Sequence, residues 1–196
     1  GILDTTSLDL NVRRELVQNS PVLRKISKSI TKKVLSELKK KLKKDPKEYD
    51  AFWSQFGKVI KEGLYEDLEN RDKIIEIIRV FSNKQNDNIT IQDYLENMAE
   101  GQDSIYYLTA DTLKQALSSP HLEGFKSKDI DVLLMTDPID AFWMSQMAQF
   151  NDKKFVSISR DTYDLSEVGS KETKKPKKSK AAKGTIELIK SHIEDL

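Results

Sequence analysis

Through the first half of the chain apolar residues recur at three- and four-residue steps, and in the second half they change to short continuous runs. The pattern predicts helices first, then strands alternating with helices. Residues 1–19 form a polar lead with alternating Leu8, Leu10 and Val12, and a short helical stretch over 13–18. Ser20 and Pro21 open a long helix, in which Leu23, Ile26, Ile30, Val34 and Leu38 make one apolar stripe. The lysine-rich run 39–44 places positive charge at that helix's negative end. Asp45 and Pro46 start a second helix with Tyr49, Phe52, Trp53, Phe56 and Ile60 on one face, read as core, and Gly63 suits its end. A third helix is expected from Asn70, with Ile74, Ile75, Ile77, Ile78 and Phe81 on a broad face, before a polar loop over 82–88. Thr90 and Asp93 have the spacing of a capping box for a short helix through Met98.

From Ser104 the period changes. Strands are expected over 105–108, 132–135 and 155–158, with helices over 110–117, from Ser119-Pro120 onward, and over 139–150. Helical crossovers of this length make the strands parallel, with right-handed connections and helices on both faces. The expected fold class is therefore α/β: a three-helix coil, then a small three-layer α/β/α domain with a short parallel sheet. Residues 161–184 lose hydrophobicity and carry seven lysines between Lys171 and Lys183, which reads as a solvated linker or a contact for an acidic partner. Ile186, Leu188, Ile189 and Ile193 then begin a final helix.

Composition narrows the function classes. The 33 basic and 32 acidic residues leave a net charge of +1, too small for a whole-molecule nucleic-acid binder. An apolar fraction of 37% suits a globular protein, and the apolar runs fall short of the roughly 18 residues a membrane span requires. With no cysteine there is neither a disulfide nor a cysteine-based metal site, and the cytoplasm is the expected compartment. The chain opens at Gly1 and stops while an apolar helical pattern is still running, so it is expected to be a piece of something longer.

The segment 130–140 joins a buried-strand signal to a helix start: Val132 to Met135, then Asp137 at the N-cap position, Pro138 at the first helical position, and Asp140 three residues beyond the cap. A carboxylate just past a strand is also where α/β enzymes place their chemistry. Asp137 and Asp140 accordingly support two readings, a helix cap or the acids of a free-standing α/β enzyme. No convergent partner accompanies them, since His121 and His192 stand far apart and no glycine-rich phosphate loop occurs. The basic runs at 39–44 and 171–183 are likewise either a helix terminus and a tether, or a nucleic-acid contact without interleaved aromatic residues. Ile139, Phe142, Trp143, Met144 and Met147 put more large apolar groups on one helix than a single buried face readily takes, so either all are core or some form an adaptable surface.

Particular words along the chain resemble the ninety-kilodalton heat-shock protein family of ATP-dependent chaperones, in its bacterial branch. They are Leu10-Asn11-Val12-Arg13-Arg14-Glu15-Leu16-Val17-Gln18, Phe52-Trp53-Ser54-Gln55-Phe56-Gly57, Lys61-Glu62-Gly63, Glu100-Gly101-Gln102, Ile105-Tyr106-Tyr107-Leu108-Thr109, Ser118-Ser119-Pro120-His121-Leu122-Glu123 and Leu133-Leu134-Met135-Thr136-Asp137-Pro138-Ile139-Asp140. They cover residues 2–160.

The resemblance implies a plan. Residues 1–20 would be the catalytic loop of the family's middle domain, 21–100 a helical coil, 101–160 a small α/β/α subdomain, 161–184 a linker, and 185–196 the first helix of a truncated C-terminal dimerisation domain. It also implies that Arg14, supported by Gln18, reaches the γ-phosphate of ATP, with ATP and Mg²⁺ held by an N-terminal domain. A planar, permanently charged guanidinium suits developing phosphoryl charge. The sequence departs from the family at Asp9 and Arg13, where proline and serine are common, so Arg13 could compete with Arg14. Further implications are a client-binding surface at Phe142, with Trp143 and Met144 beside it, and no metal site in this stretch. The parent would be a homodimeric cytoplasmic chaperone, while this stretch alone would be monomeric and inactive on ATP, contacting neither nucleic acid nor membrane.

Overall fold

A computed structural model describes residues 21–161 together with residues 163, 165 and 168. Helix α1 (Pro21–Lys44) ends on Lys41, Lys43 and Lys44, where cations complement the helix dipole. Lys39, Lys40 and Lys41 each meet a carboxylate, on Glu76, Glu37 and Glu48. Asp45 then accepts the Glu48 N–H at 3.0 Å and Pro46 follows, so α2 (Pro46–Glu66) starts as its sequence dictates. Gly63 is not the end of α2, which runs three residues further. A Cβ at Gly63 would sit 2.8 Å from Ile74 Cδ1, so the glycine serves close approach instead. On the α2 face read as core, Tyr49 is buried and Phe52, Trp53 and Ile60 are half-buried, while Phe56 is exposed, stacked on Phe52.

The largest departure follows. Helix α3 (Arg71–Ile75) is only five residues long, and the remaining apolar positions up to Phe81 leave the helix to form β1 (Val80–Ser82). Ile74, Ile75, Ile77 and Ile78 are all buried, with only Glu76 between them reaching out, to Lys39. Tyr49 Oη donates to the Ile77 carbonyl at 2.7 Å, satisfying a group the shortened helix leaves open. The polar stretch expected as a loop closes a hairpin to β2 (Asp87–Ile89), with Asn86 at a positive φ of 54°.

Thr90 and Asp93 form both halves of the expected capping box, at 3.0 and 2.9 Å, and start α4 (Ile91–Glu96). Strand β3 (Ser104–Thr109) leads to α5 (Leu113–Leu117), a 3₁₀ turn (Pro120–Leu122) and α6 (Glu123–Ser127). Strand β4 (Leu133–Met135) precedes α7 (Asp140–Gln146). The helix expected over 139–150 stops at Gln146, and β5 (Gln149–Phe150) turns back through Asn151 and Asp152, both at positive φ, into β6 (Lys153–Ser157).

Among the described residues the strands form one mixed sheet in the order β2-β1-β4-β3-β6-β5. Its centre is the expected parallel trio: β3 pairs with β4 (Tyr107 opposite Leu133) and with β6 (Ile105 opposite Phe155). The antiparallel strands β1, β2 and β5 extend both edges. Alternate residues of the trio enter two cores. Ile105, Leu133, Met135 and Phe155 pack with residues of α1 to α4 and α7, and Tyr106, Leu108, Leu134 and Val156 with those of α5 and α6. The three layers are therefore helix, sheet, helix, and the coil of α1 to α3 shares its core with one sheet face.

Tyr94 ties the layers together. Its hydroxyl donates to Asp131 O at 3.0 Å and accepts from Tyr106 N and Gln102 Nε2 at 3.0 and 2.8 Å. Burial holds the phenol protonated far above the usual tyrosine range. Replacing Tyr94 by Phe leaves three buried polar groups short of a partner, so Tyr94→Phe is expected to lower stability by about 2 kcal/mol in urea unfolding.

Candidate functional site

The β4–α7 junction is held by a buried cation. Lys61 on α2 is 3% exposed, and its Nζ donates to Asp137 Oδ2 at 2.8 Å and to Asp140 Oδ2 at 3.1 Å. Asp140, 1% exposed, also accepts the indole N–H of Trp143 at 2.9 Å and the backbone N–H of Asp137 at 3.0 Å. Lys58 reaches the other oxygen of Asp137 at 3.6 Å from the surface. Two carboxylates thus share one buried ammonium, and the remaining acceptor capacity of Asp140 is filled by N–H donors.

This arrangement corrects the cap expected at Asp137. Its carboxylate turns to Lys61, and only the reciprocal half of the capping box forms, with Asp140 accepting from the Asp137 backbone. The helix begins at Asp140. An open cleft does lie at the carboxyl ends of β3 and β4, lined by Thr109, Asp111, Thr136, Asp137 and Arg160. Asp140, however, is sealed beneath it, so the pair Asp137 and Asp140 is built as a strut, and the enzyme reading gains no support from it.

The outer face of α7 is different in kind. Phe142 is 57% exposed, and its ring meets that of Tyr65 on α2 edge-on, centroids 6.1 Å apart. Tyr65 and Leu68 are themselves 42% and 64% exposed. Arg71 braces this corner, donating through Nε to Leu64 O and through Nη2 to Gln146 Oε1, both at 2.7 Å. Of the three residues expected at a client surface, Phe142 is exposed to solvent, while Trp143 and Met144 are buried. Trp143 packs edge-on against Phe155, centroids 6.1 Å apart. Sequence reading missed Tyr65 and Leu68. The available signal was their position past the helical stripe of α2, next to the Lys61-Glu62-Gly63 word. Arg14 and Gln18 lie outside the described residues. His121 is exposed on the 3₁₀ turn, and no group of acidic and histidine side chains among the described residues could hold a metal ion.

A sequence profile described as "Hsp90 protein" matches residues 1–196. The chain belongs to the Hsp90 family. It is 49% identical over 172 residues to the chaperone protein HtpG of Roseobacter denitrificans, and 44% identical over 182 residues to HtpG of Paramagnetospirillum magneticum. These alignments take in 88% and 93% of this chain but only 28% and 29% of the relatives' lengths. Among solved structures, the middle domain of a Plasmodium falciparum heat shock protein superposes with a TM-score of 0.67 at 31% identity, covering 73% of this chain and 60% of that one. The Hsp90 middle-domain fold therefore accounts for the α/β architecture.

Removing the shared cation leaves the buried Asp140 carboxylate facing that of half-buried Asp137. Lys61→Ala is expected to destabilise the chain by about 3 kcal/mol, whereas Lys58→Ala, at the exposed end of the same cluster, should cost under about 1 kcal/mol. Denaturant unfolding of the two variants side by side checks this.

Proposed function

We propose that this Hsp90-family stretch works as the client-facing and ATPase-completing part of an ATP-dependent chaperone. The observation that supports client binding is the exposed pair of Phe142 on α7 and Tyr65 on α2, with the inner face of α7 anchored by Trp143 and the Lys61 strut. An apolar group kept in water on a rigid support is a surface for partly folded chains, which present apolar segments of varied sequence. Trp143 and Met144 act by holding α7 from below. The support for the ATPase role is the resemblance at residues 10–18: Arg14, aided by Gln18, would place a guanidinium against the γ-phosphate of ATP, with ATP and Mg²⁺ held by an N-terminal domain of the same protein. In this reading the stretch does not hydrolyse ATP alone, the full-length protein is a cytoplasmic homodimer, and this stretch by itself is a monomer.

Phe142→Ala is expected to weaken binding of a permanently unfolded protein about tenfold in fluorescence anisotropy, with the unfolding midpoint nearly unchanged because the ring is already more than half in water. A large stability loss with undiminished binding would reverse the assignment. In the full-length protein, Arg14→Ala should lower steady-state ATP turnover by up to about 10³-fold while nucleotide affinity changes little. Turnover equal to wild type would remove Arg14 from the role.

A further inference from the structure

The end of α2 pairs an apolar surface with a one-sided charge. Tyr65 adjoins Phe142 from α2, exposed Leu68 follows in the turn after it, and residues 62–69 carry Glu62, Glu66, Asp67 and Glu69. On the helix, Glu62 lies one turn before Tyr65 and one turn before Glu66, so carboxylates border the apolar group on its α2 side. The α7 side is uncharged: its exposed residues are Ala141, Phe142, Ser145 and Gln146.

The neighbouring cations are engaged or stand apart. Lys61 is buried on Asp137 and Asp140, Lys58 reaches Asp137, Arg71 is turned to Leu64 and Gln146, and exposed Lys73 lies past the start of α3 beside Asp72. Asp67 is occupied by Asn70, through its N–H and side-chain amide. Glu62 and Glu66 have no cationic partner among the described residues. An intramolecular precedent shows that lysine fits this end: Lys28 Nζ rests on Glu69 Oε1 at 2.8 Å, beside a shallow cleft of about 450 Å³ bordered by Thr31, Glu66, Asp67 and Leu68.

We propose that this surface selects client segments in which large apolar side chains alternate with lysine or arginine. The apolar groups seat on Tyr65 and Phe142, and the cations on Glu62 and Glu66. The inference rests on the reading of Phe142 as a client surface and adds to it the chemistry of the preferred client. In a chain whose total charge is +1, a local acidic border beside the only aromatic pair spanning α2 and α7 among the described residues supplies the complementarity. Because these carboxylates are exposed, the preference is modest and sensitive to salt.

The test uses the 196-residue chain and two labelled peptides with the same leucines and phenylalanines, one interspersed with lysines and the other with glutamates. Anisotropy titrations at low salt should show the lysine peptide binding about fivefold more tightly, with the difference shrinking in high salt. The double variant Glu62→Lys, Glu66→Lys should abolish or invert that order without moving the unfolding midpoint, and Tyr65→Ala should weaken both peptides alike. Equal binding of the two peptides, or a preference that survives the double variant, overturns the inference. So does a peptide of residues 171–183 binding as tightly as the lysine-apolar peptide, because its seven lysines come without large apolar groups. Phe142→Ala separates the two levels. Unchanged affinity for both peptides removes the client-surface reading itself, whereas weakened binding with an unaltered charge preference removes only the selectivity.

Discussion

The ammonium of Lys61 is the point on which the corner of the molecule turns. It comes from α2 and meets Asp137 within the β4–α7 loop and Asp140 at the first residue of α7, so one buried charge joins the helical layer to the sheet. Burying a cation is costly unless its charge is paired and hydrogen-bonded, and two carboxylates at 2.8 and 3.1 Å supply that pairing. The excess negative charge is in turn met by the Trp143 indole, the Asp137 backbone and, from the surface, Lys58. The geometry leaves α7 little freedom to rotate, because its inner face supplies both the carboxylate and the indole.

That constraint explains why a helix of seven residues can keep Phe142 in water. An isolated helix so short would not persist, and an exposed phenylalanine adds nothing to its stability. Here Trp143, Met144 and Met147 are buried within the core shared by α1 to α4 and one face of the sheet. The buried side of α7 supplies the stability, which frees the outer side for Phe142 and its contact with Tyr65. Arg71 closes the same corner by bridging the end of α2 to Gln146.

The sheet shows how two cores arise from three short strands. In β3, Ile105 goes to one core while Tyr106 and Leu108 go to the other, and β4 divides Leu133 and Met135 from Leu134. Both faces are apolar because both are covered, which is why these strands read as unbroken hydrophobic runs. Tyr94 carries a polar link through this assembly, accepting the Tyr106 N–H at the start of the central strand.

By itself the sequence determined the elements whose signals are local: the proline and aspartate starts of α1 and α2, the capping box of Thr90 and Asp93, the parallel trio, and the words that mark the Hsp90 family. These depend on backbone chemistry within a turn or on side-chain period, and both can be read without knowing what lies opposite. The tertiary structure decided the rest, wherever a residue's fate depends on a partner far along the chain. The run from Ile74 to Phe81 has enough apolar residues for a helix, but pairing of Phe81 with Leu134 and donation from Tyr49 to Ile77 draw its second half into the sheet. Asp137 has the local form of a cap, but Lys61, 76 positions earlier, takes its carboxylate. Phe142 and Trp143 are neighbours of similar character, and only the packing of α7 against α2 and the sheet sends one to water and the other to the core.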